Sequence, residues 1–399
     1  MREIASFELP KWTEAQKPHA SLVLAGSAPP ALSIQNLVSL STDRPTTTQN
    51  LYIHTLPLSL GTPTGGESLR RAIAAVYEHE TITSDHILTT TGTTDANAIV
   101  FQTLLRAEDH VIVMYPSYPQ LYSLPGAIVD EVSLWRFFPS EKSEEEQIRQ
   151  LEEMIQPNTR MIVLNDPNNP IGTVLSSGLR ERIITIAQEK KIIVFVDEIF
   201  RPIFYDKNKN SIDERSACTI ADNVIVTSSL SKAWALPGVR VGWIATRNSH
   251  LLGQCTNLRF YMTNSLGAFD EIVATEALSE RIRPQILRRH LRWAQTSVSL
   301  LQAFVDEHPN TVSWVTRPVA GSMAFLKFTI TANQAVDDVD FCMRLNKQTG
   351  VLLAPGSLCF GCQNGDFKGC VRINLMVMPD VMSQALMRIH GFLLGYLAA

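Results

Sequence analysis

A series of short apolar runs, rich in Val and Ile, recurs through the middle of this 399-residue chain, and helical patterns separate them. In chain order they are HILTTT (86–91), HVIVMY (110–115), RMIVLN (160–165), KIIVFVD (191–197) and NVIVTS (223–228). Runs that are apolar throughout are typical of strands buried on both faces of a mainly parallel sheet. Because such strands need helical crossovers, the pattern predicts an α/β fold.

The pattern changes at about residue 283. A long helical segment (283–308) precedes a strand-like run, SMAFLKFTI, and a second helical stretch near 337–348. A chain of this length is also too long for one small core. We therefore predict a three-layer αβα large domain of residues 46–282, with a mainly parallel sheet, and a smaller α+β domain of residues 1–45 and 283–399.

Composition and charge exclude several classes of protein. Hydrophobic residues make up 45% of the chain and charged residues 19%, which indicates a sizeable core. The net charge of −4 does not provide the positive field that nucleic-acid binding needs. No run approaches the length of a membrane span, and the first residues lack a signal-peptide pattern. We expect a cytoplasmic protein with no nucleic-acid or membrane partner.

The cysteines do not form a convincing metal motif. Cys359 and Cys362 form a CxxC pair and Cys370 follows, but no second CxxC supplies a fourth zinc ligand. We therefore predict reduced thiols in or near a loop and no metal at these positions.

Small or polar residues follow the predicted strands at almost every strand end. They are Gly92-Thr93-Thr94, Pro116-Ser117-Tyr118, Asp166–Pro170, Asp197 and Ser229–Lys232. In open α/β sheets, ligands bind in the crevice beyond the carboxyl ends of the strands. We therefore expect these residues to converge on one site.

Each of these features also has a purely structural interpretation. Gly92-Thr93-Thr94 could hold a phosphate at a helix N-terminus, or could simply cap that helix. Asp197 could cap the following loop. Lys232 could be a surface lysine, although its neighbours, Ala-Trp-Ala-Leu-Pro-Gly, favour an apolar setting in which a lysine loses its proton and becomes a nucleophile. The ordered combination is more specific than any one part.

That combination resembles the class I/II aminotransferases, which are pyridoxal-phosphate enzymes of fold type I. Asn168-Asn169-Pro170-x-Gly172 is similar to the family's N-P-T-G element, with Ile in place of Thr. The most specific match is Ser229-Leu-Ser-Lys232, followed by Leu-Pro-Gly-Val-Arg240-x-Gly242. The resemblance extends from about residue 26 to residue 372.

The resemblance implies a role for each of these residues with the cofactor, pyridoxal 5'-phosphate. Lys232 would carry it as a Schiff base and then move the α-proton. Asp197 would pair with the pyridine nitrogen, Asn169 would contact the ring hydroxyl oxygen, and Tyr118 would stack on the ring. The residues implied to hold the phosphate are Gly92, Thr93, Thr94, Ser229 and Arg240.

The resemblance also implies how the substrate, an α-amino acid and in a transamination also a 2-oxo acid, would bind. Arg372 would grip the α-carboxylate in a forked contact, with Asn169 and the backbone near Gly26 contributing. The family further implies a homodimer with active sites near the interface, and the segments around Gly61 and 263–265 are candidates for it.

The sequence departs from the family pattern in two places. Phe200 stands where the family usually has a Tyr that donates to the ring oxygen, and Leu60 stands where a Tyr usually reaches the phosphate of the other subunit. Asp-x-x-Phe, the Lys232 motif and the stretch from Arg259 to Leu266 are also similar to an amino-acid cyclase of this fold.

Two enzymatic hypotheses therefore remain open. An aminotransferase is the first, and a pyridoxal-phosphate lyase, cyclase or amino-acid oxidase is the second. They differ in where the electrons of a common carbanion go, which depends on the fine placement of Lys232 and the substrate. A third, non-enzymatic hypothesis is an inactive binding protein of the same fold, which the intact Lys232, Asp197, Asn169 and Arg372 disfavour.

Overall fold

The computed structural model describes residues 2–205, 214–331, 334–363 and 365–396. The strands are β1 (Leu22–Val23), β2 (Ile87–Thr90), β3 (His110–Tyr115), β4 (Glu131–Arg136), β5 (Thr159–Asn165), β6 (Ile193–Asp197), β7 (Val224–Ser229), β8 (Gly242–Ala245), β9 (Val312–Thr316), β10 (Met323–Thr331), β11 (Gln334–Ala335), β12 (Val351–Leu352), β13 (Ala354–Pro355) and β14 (Cys370–Asn374). The α-helices are α1 (Glu8–Gln16), α2 (Ile34–Leu40), α3 (Arg44–Asn50), α4 (Glu67–Ala74), α5 (Thr93–Leu104), α6 (Gln120–Ile128), α7 (Glu144–Met154), α8 (Ser177–Glu189), α9 (Ser249–Met262), α10 (Ala268–Ala277), α11 (Arg283–Glu307), α12 (Asp338–Thr349), α13 (Gly356–Phe360) and α14 (Pro379–Tyr396).

The central sheet has the strand order β2-β8-β7-β6-β5-β3-β4. The pairs β3–β4, β3–β5, β5–β6 and β6–β7 are parallel, whereas β8 is antiparallel to both of its neighbours. The apolar runs read from the sequence form β2, β3, β5, β6 and β7. The prediction of an α/β fold with a mainly parallel sheet is therefore confirmed.

Two strands of this sheet, β4 and β8, did not stand out in the sequence. β4 lies at the edge of the sheet and most of its residues are exposed or half-buried, so it lacks a continuous apolar run. β8 has four residues and begins with a glycine. Its place is decided by its two long-range partners, β2 and β7.

Helices cover both faces of the sheet because successive strand residues point in opposite directions. In β6, Ile193 and Phe195 join a core with α5, α6 and α9. Val194 and Val196 join the other core, which includes residues of α7, α8 and α10. This arrangement gives the three layers expected from the sequence.

A second sheet follows the central one in the chain, with the order β11-β10-β14-β13 and with β9 paired to β10. α11, β10 and α12 correspond to the helix, strand and helix expected there. The N-terminal segment joins this region, because β1 pairs with β12 and the indole of Trp12 donates to the carbonyl of Leu353 over 2.9 Å. The domain boundaries at residues 46 and 283 stay a prediction, although α11 begins at Arg283. Among the described residues, no helix is both long and apolar enough to cross a membrane.

Candidate active site

A cavity of about 200 Å³ opens beyond the carboxyl ends of β6 and β7. Asp197 ends the first of these strands and Ser229 ends the second, so the topology alone brings both to the cavity wall. The cavity is lined by Ser27, Thr93, Thr94, Asn97, Tyr118, Asn165, Asn169, Asp197, Ile199, Phe200, Ser229, Ser231, Lys232, Pro237 and Arg240. Most of the residues singled out in the sequence therefore share one site. Among the residues that the resemblance assigns to the cofactor or the substrate, Gly26, Gly92 and Arg372 lie outside this lining, and so do Pro116, Ser117, Asp166 and Asn168 from the predicted strand ends.

Lys232 reaches this cavity in a setting that favours its neutral form. Its amine donates a hydrogen bond to the hydroxyl of Ser27 over 2.9 Å. Burial lowers the pKa of Lys232 to about 8; the positive charges of Arg372 and Arg240 act in the same direction, and Asp197 opposes them. An amine with this pKa is partly deprotonated near neutral pH, as a nucleophile or a base must be.

Asp197 is 2% exposed and is held in a fixed orientation. One carboxylate oxygen accepts a hydrogen bond from the backbone of Ile199 over 3.0 Å, and the other accepts one from the side chain of Asn97 over 3.2 Å. The hydroxyl of Thr227 donates to the Asn97 carbonyl oxygen over 2.7 Å, which fixes the amide's orientation. Burial raises the pKa of Asp197 to about 6, so a cationic partner in the cavity would stabilise its charged form.

The start of α5 forms an anion cradle. Gly92 precedes the helix with a φ of +93°, and a Cβ placed on it would lie 2.3 Å from a guanidinium nitrogen of Arg240. Arg240 also donates to the carbonyl of Thr91 over 3.1 Å. Within the described part of the chain, the hydroxyl of Thr93 is buried without a hydrogen-bond partner. A helix N-terminus, an arginine and an unsatisfied hydroxyl together fit a phosphate group.

Arg372 lies on β14 and is 1% exposed. One guanidinium nitrogen donates to the side-chain oxygen of Asn169 over 3.0 Å, and another donates to the carbonyl of Ala25. The ring of Phe360 stacks against the guanidinium at 4.9 Å. Burial lowers the pKa of Arg372 to about 10, which still leaves it charged at neutral pH. Gly26, next to Ala25, borders open space, because a Cβ there would contact nothing within 4 Å.

Tyr118 and Phe200 supply the aromatic part of the cavity wall. The Tyr118 ring meets Phe7 edge-on, with centroids 5.3 Å apart, and burial raises the pKa of Tyr118 to about 12. Phe200 is 2% exposed and offers the cavity only hydrocarbon. Leu60 lies outside the cavity lining and is 76% exposed.

Sequence reasoning missed Ser27, Asn97 and Asn165. Asn165 donates to the backbone carbonyl of Asp197 over 3.1 Å and accepts from the backbone N–H of Asn169 over 2.8 Å, so it joins two predicted site residues. Its position at the end of an apolar strand was a usable signal. Asn97 and Ser27 had no such signal, because only the tertiary structure brings them to the cavity.

In the described part of the chain, neither cysteine of the CxxC pair belongs to a cluster of three or more potential metal ligands. Cys359 and Cys370 are buried and Cys362 is exposed, and all three are free thiols. Burial raises the pKa of both Cys359 and Cys370 to about 12, so these thiols stay protonated.

The groups of the site match each part of pyridoxal phosphate. Lys232 offers an amine for an aldehyde, Asp197 a carboxylate for a ring nitrogen, and Tyr118 an aromatic face. The Thr93 hydroxyl lacks a hydrogen-bond partner and the Arg240 side chain is positively charged, so both can bind a phosphate. Together with the α/β fold, these groups define a pyridoxal-phosphate-dependent enzyme of fold type I.

Comparisons with known proteins agree with this class. The sequence profile described as "Aminotransferase class I and II" matches residues 57–389. A probable aminotransferase of Arabidopsis thaliana is 27% identical over 341 residues, which cover 83% of this chain and 74% of that protein. Capreomycidine synthase of Streptomyces vinaceus is 28% identical over 305 residues, covering 74% and 72%. A pyridoxal-phosphate-dependent aminotransferase from Streptococcus suis has a TM-score of 0.86 and 29% identity, with 99% of each chain covered.

The chain therefore belongs to the class I and II aminotransferase family, and it is an aminotransferase-like enzyme that depends on pyridoxal phosphate. The expected family resemblance is confirmed, and so is the narrower similarity to an amino-acid cyclase, since capreomycidine synthase is among the relatives.

Proposed function

We propose that this chain transfers the amino group of an α-amino acid to a 2-oxo acid, with pyridoxal phosphate held on Lys232. The observation that carries the proposal is that Lys232 and Asp197 line the same cavity, and that Asn169, which also lines it, accepts a hydrogen bond from Arg372. The family membership supports the same reaction.

When bound, pyridoxal phosphate withdraws electrons from the α-carbon of an amino acid joined to it. Asp197 keeps the ring nitrogen protonated. This role requires that the Asp197 carboxylate stays negatively charged at the working pH. Lys232 moves a proton at the α-carbon, because its lowered pKa lets the amine both accept and return one near neutral pH. The Thr93 hydroxyl and Arg240 hold the phosphate.

Arg372 binds the α-carboxylate of the substrate. Its guanidinium is buried, charged and already oriented by Asn169 and Ala25, so little side-chain freedom is lost on binding. The open space beside Gly26 leaves room for the substrate backbone. Phe360 keeps water from the other face of the guanidinium.

A half-reaction screen tests this proposal. The holoenzyme is mixed with single amino acids, the visible spectrum of the cofactor is followed, and products are identified by mass. Transamination predicts a 2-oxo acid in an amount equal to the enzyme, and a cofactor converted to its amine form. No spectral change with any amino acid would favour an inactive binding protein of this fold.

A second candidate is a lyase, cyclase or oxidase reaction on the same scaffold. Phe200 favours it, because the ring at the cavity wall cannot donate a hydrogen bond, and capreomycidine synthase is a relative at 28% identity. The same screen separates the two candidates. Ammonia, a cyclised amino acid or peroxide among the products would identify the second.

We also propose a homodimer that works in the cytoplasm. Arg259 donates to the carbonyls of Pro63 and Asn264, which holds the two candidate interface segments side by side. Large apolar side chains are exposed there, and a second copy of the chain would cover them. They are Leu58, Leu60, Phe260 and Tyr261.

Light scattering tests the assembly. The chain has a mass of 44.4 kDa, so a homodimer has twice that mass. A fully active species with the mass of a single chain would contradict the proposal. Tyr261→Glu, at a position 83% exposed, should shift the equilibrium toward single chains, whereas Met387→Glu, at a position 70% exposed on α14, should not.

A further inference from the structure

Two histidines and a glutamate meet where the end of α11 approaches α14. Glu307 is the last residue of α11, His308 follows it, and His390 lies on α14. One ligand atom from each residue lies within 4.8 Å of the others. We propose that Glu307, His308 and His390 bind a divalent transition-metal ion such as Zn²⁺. The site shares no residue with the cofactor cavity, so the proposal is independent of the proposed function.

The distances within the cluster suit one shared ion. Nε2 of His308 lies 3.1 Å from Nδ1 of His390, and Oε1 of Glu307 lies 3.4 Å from the same Nδ1. Zinc binds histidine nitrogen at about 2.0–2.1 Å, and a tetrahedral arrangement then separates two ligand atoms by about 3.3 Å. An ion can therefore contact all three atoms after small side-chain rotations.

Direct hydrogen bonding explains these contacts less well. A histidine ring nitrogen carries either one hydrogen or one lone pair, and that single group points in one direction in the ring plane. Nδ1 of His390 faces both His308 and Glu307. If Nδ1 of His390 donates to the Glu307 carboxylate, it has no lone pair with which to accept a hydrogen bond from His308. If it accepts from His308 instead, its lone pair lies close to the negatively charged carboxylate, which is unfavourable. A cation between the three atoms removes this conflict.

The surrounding structure holds His308 in place. The His308 ring packs on Phe304, with centroids 4.7 Å apart, and Phe304 is 5% exposed. The backbone N–H of His308 donates to the carbonyl of Val305 over 3.1 Å, and its carbonyl accepts from Thr311 over 3.0 Å. A bound ion would join the end of α11 to α14 and leave the remaining coordination positions to water. We therefore assign it a structural role that clamps these two helices.

Calorimetric titration of the cofactor-loaded full chain with Zn²⁺ tests the site. Zinc can also bind elsewhere, so the difference between variants is the decisive readout. His390→Ala should weaken the binding step at least tenfold, and Glu307→Gln, which keeps the shape but removes the charge, should weaken it less. Matched controls are His250→Ala and Cys362→Ser, which remove an exposed histidine and an exposed thiol outside the cluster and should leave the affinity unchanged.

Thermal unfolding gives a second readout that does not depend on activity. Zinc should raise the unfolding midpoint of the parent and of the two controls, but not that of His390→Ala. His390→Gln fills more of the space that the alanine variant leaves empty, so it controls for a packing defect. Zinc should not raise the unfolding midpoint of this variant either. The proposal is overturned if the parent binds no zinc, or if the His390 variants bind it as tightly as the parent does.

Discussion

The amine of Lys232 donates a hydrogen bond to the hydroxyl of Ser27 over 2.9 Å, although the two residues are 205 positions apart in the chain. The segment that carries Ser27 is fixed on both sides. The hydroxyl of Ser322 donates to the carbonyl of Ser27 over 2.6 Å, and the amide of Asn374 donates to the carbonyl of Ala28 over 2.8 Å. The region after residue 283 therefore sets the position of a hydroxyl beside the amine that we propose carries the cofactor.

Removal of this hydroxyl should slow the reaction without unloading the enzyme. We predict that Ser27→Ala lowers kcat/KM about tenfold, because one hydrogen bond to a charged or reacting amine contributes roughly 1.5 kcal/mol. Steady-state kinetics measure the effect, and the visible spectrum shows that the cofactor is retained. Ser27→Thr keeps a hydroxyl and should lose less. Equal kcat/KM for Ser27→Ala and the parent would show that Ser27 has no part in catalysis.

Lys232 should be the residue that carries the cofactor. Borohydride reduction of the holoenzyme followed by peptide mapping should place the label on Lys232, since its buried amine has a pKa of about 8 and lies in the cavity. Lys232→Ala should lose the label and all turnover. Lys327→Ala, which changes an exposed lysine outside the cavity, should keep both. A label on any other lysine contradicts the assignment.

Asp197→Asn should preserve the shape of the site but remove its negative charge. We expect the rate to fall about a hundredfold or more, which corresponds to roughly 2.7 kcal/mol of transition-state stabilisation. Single-turnover kinetics with one amino acid measure the loss. Asn97→Ala, which removes a hydrogen bond to Asp197 but leaves the carboxylate charge, should cost less. A near-parental rate in Asp197→Asn would mean that the charge does not assist the chemistry.

Phe200→Tyr should restore the hydrogen-bond donor that the family usually has at this position. A donor beside the cofactor ring oxygen stabilises its negative charge, so we expect the visible pH titration of the holoenzyme to shift to lower pH. Product ratios from the half-reaction screen should shift toward the 2-oxo acid. If neither the titration nor the products change, Phe200 does not steer the reaction, and the aminotransferase proposal gains over the second candidate.

Asp366 ties the loop before β14 to the central sheet, and its contribution should depend on pH. Its carboxylate accepts from the hydroxyl of Tyr115 over 2.6 Å and pairs with Arg136. Burial alone would raise the pKa of Asp366, but these hydrogen bonds outweigh it and lower the pKa. The stabilisation is therefore present above the ordinary aspartate pKa of about 3.9 and is lost as the pH falls through the lower folded value.

We predict that Asp366→Asn lowers the free energy of unfolding by about 2 kcal/mol at pH 7, and that the difference from the parent shrinks below about pH 4. Urea unfolding at several pH values measures it. Asp85→Asn is the matched control, because that carboxylate is 88% exposed and lies 3.6 Å from Arg70. This substitution should leave the free energy of unfolding nearly unchanged. A difference that does not change with pH would argue against a charged Asp366 in this role.

Much of the fold could be predicted from the sequence because its signals are local. Continuous Val- and Ile-rich runs mark strands that are buried on both faces, and β3, β5, β6 and β7 follow them closely. The strand ends place Asp197 and Lys232 at the same edge of the sheet. These features depend on side-chain hydrophobicity and chain direction, which can be predicted from short segments of the sequence.

The sequence by itself determined the α/β class, the positions of the central apolar strands along the chain and the residues at their carboxyl ends. Only the tertiary structure decided which distant side chains complete the site. Asn97 turns its amide to Asp197 because a helix packs on the sheet. Ser27 reaches Lys232 because Ser322, just before β10, and Asn374 of β14 hold its segment in place. The position of β8 in the sheet also depends on a distant contact, since one of its two hydrogen-bond partners, β2, lies far away in the chain. Such contacts depend on packing over long sequence separations, which no local pattern of residues encodes.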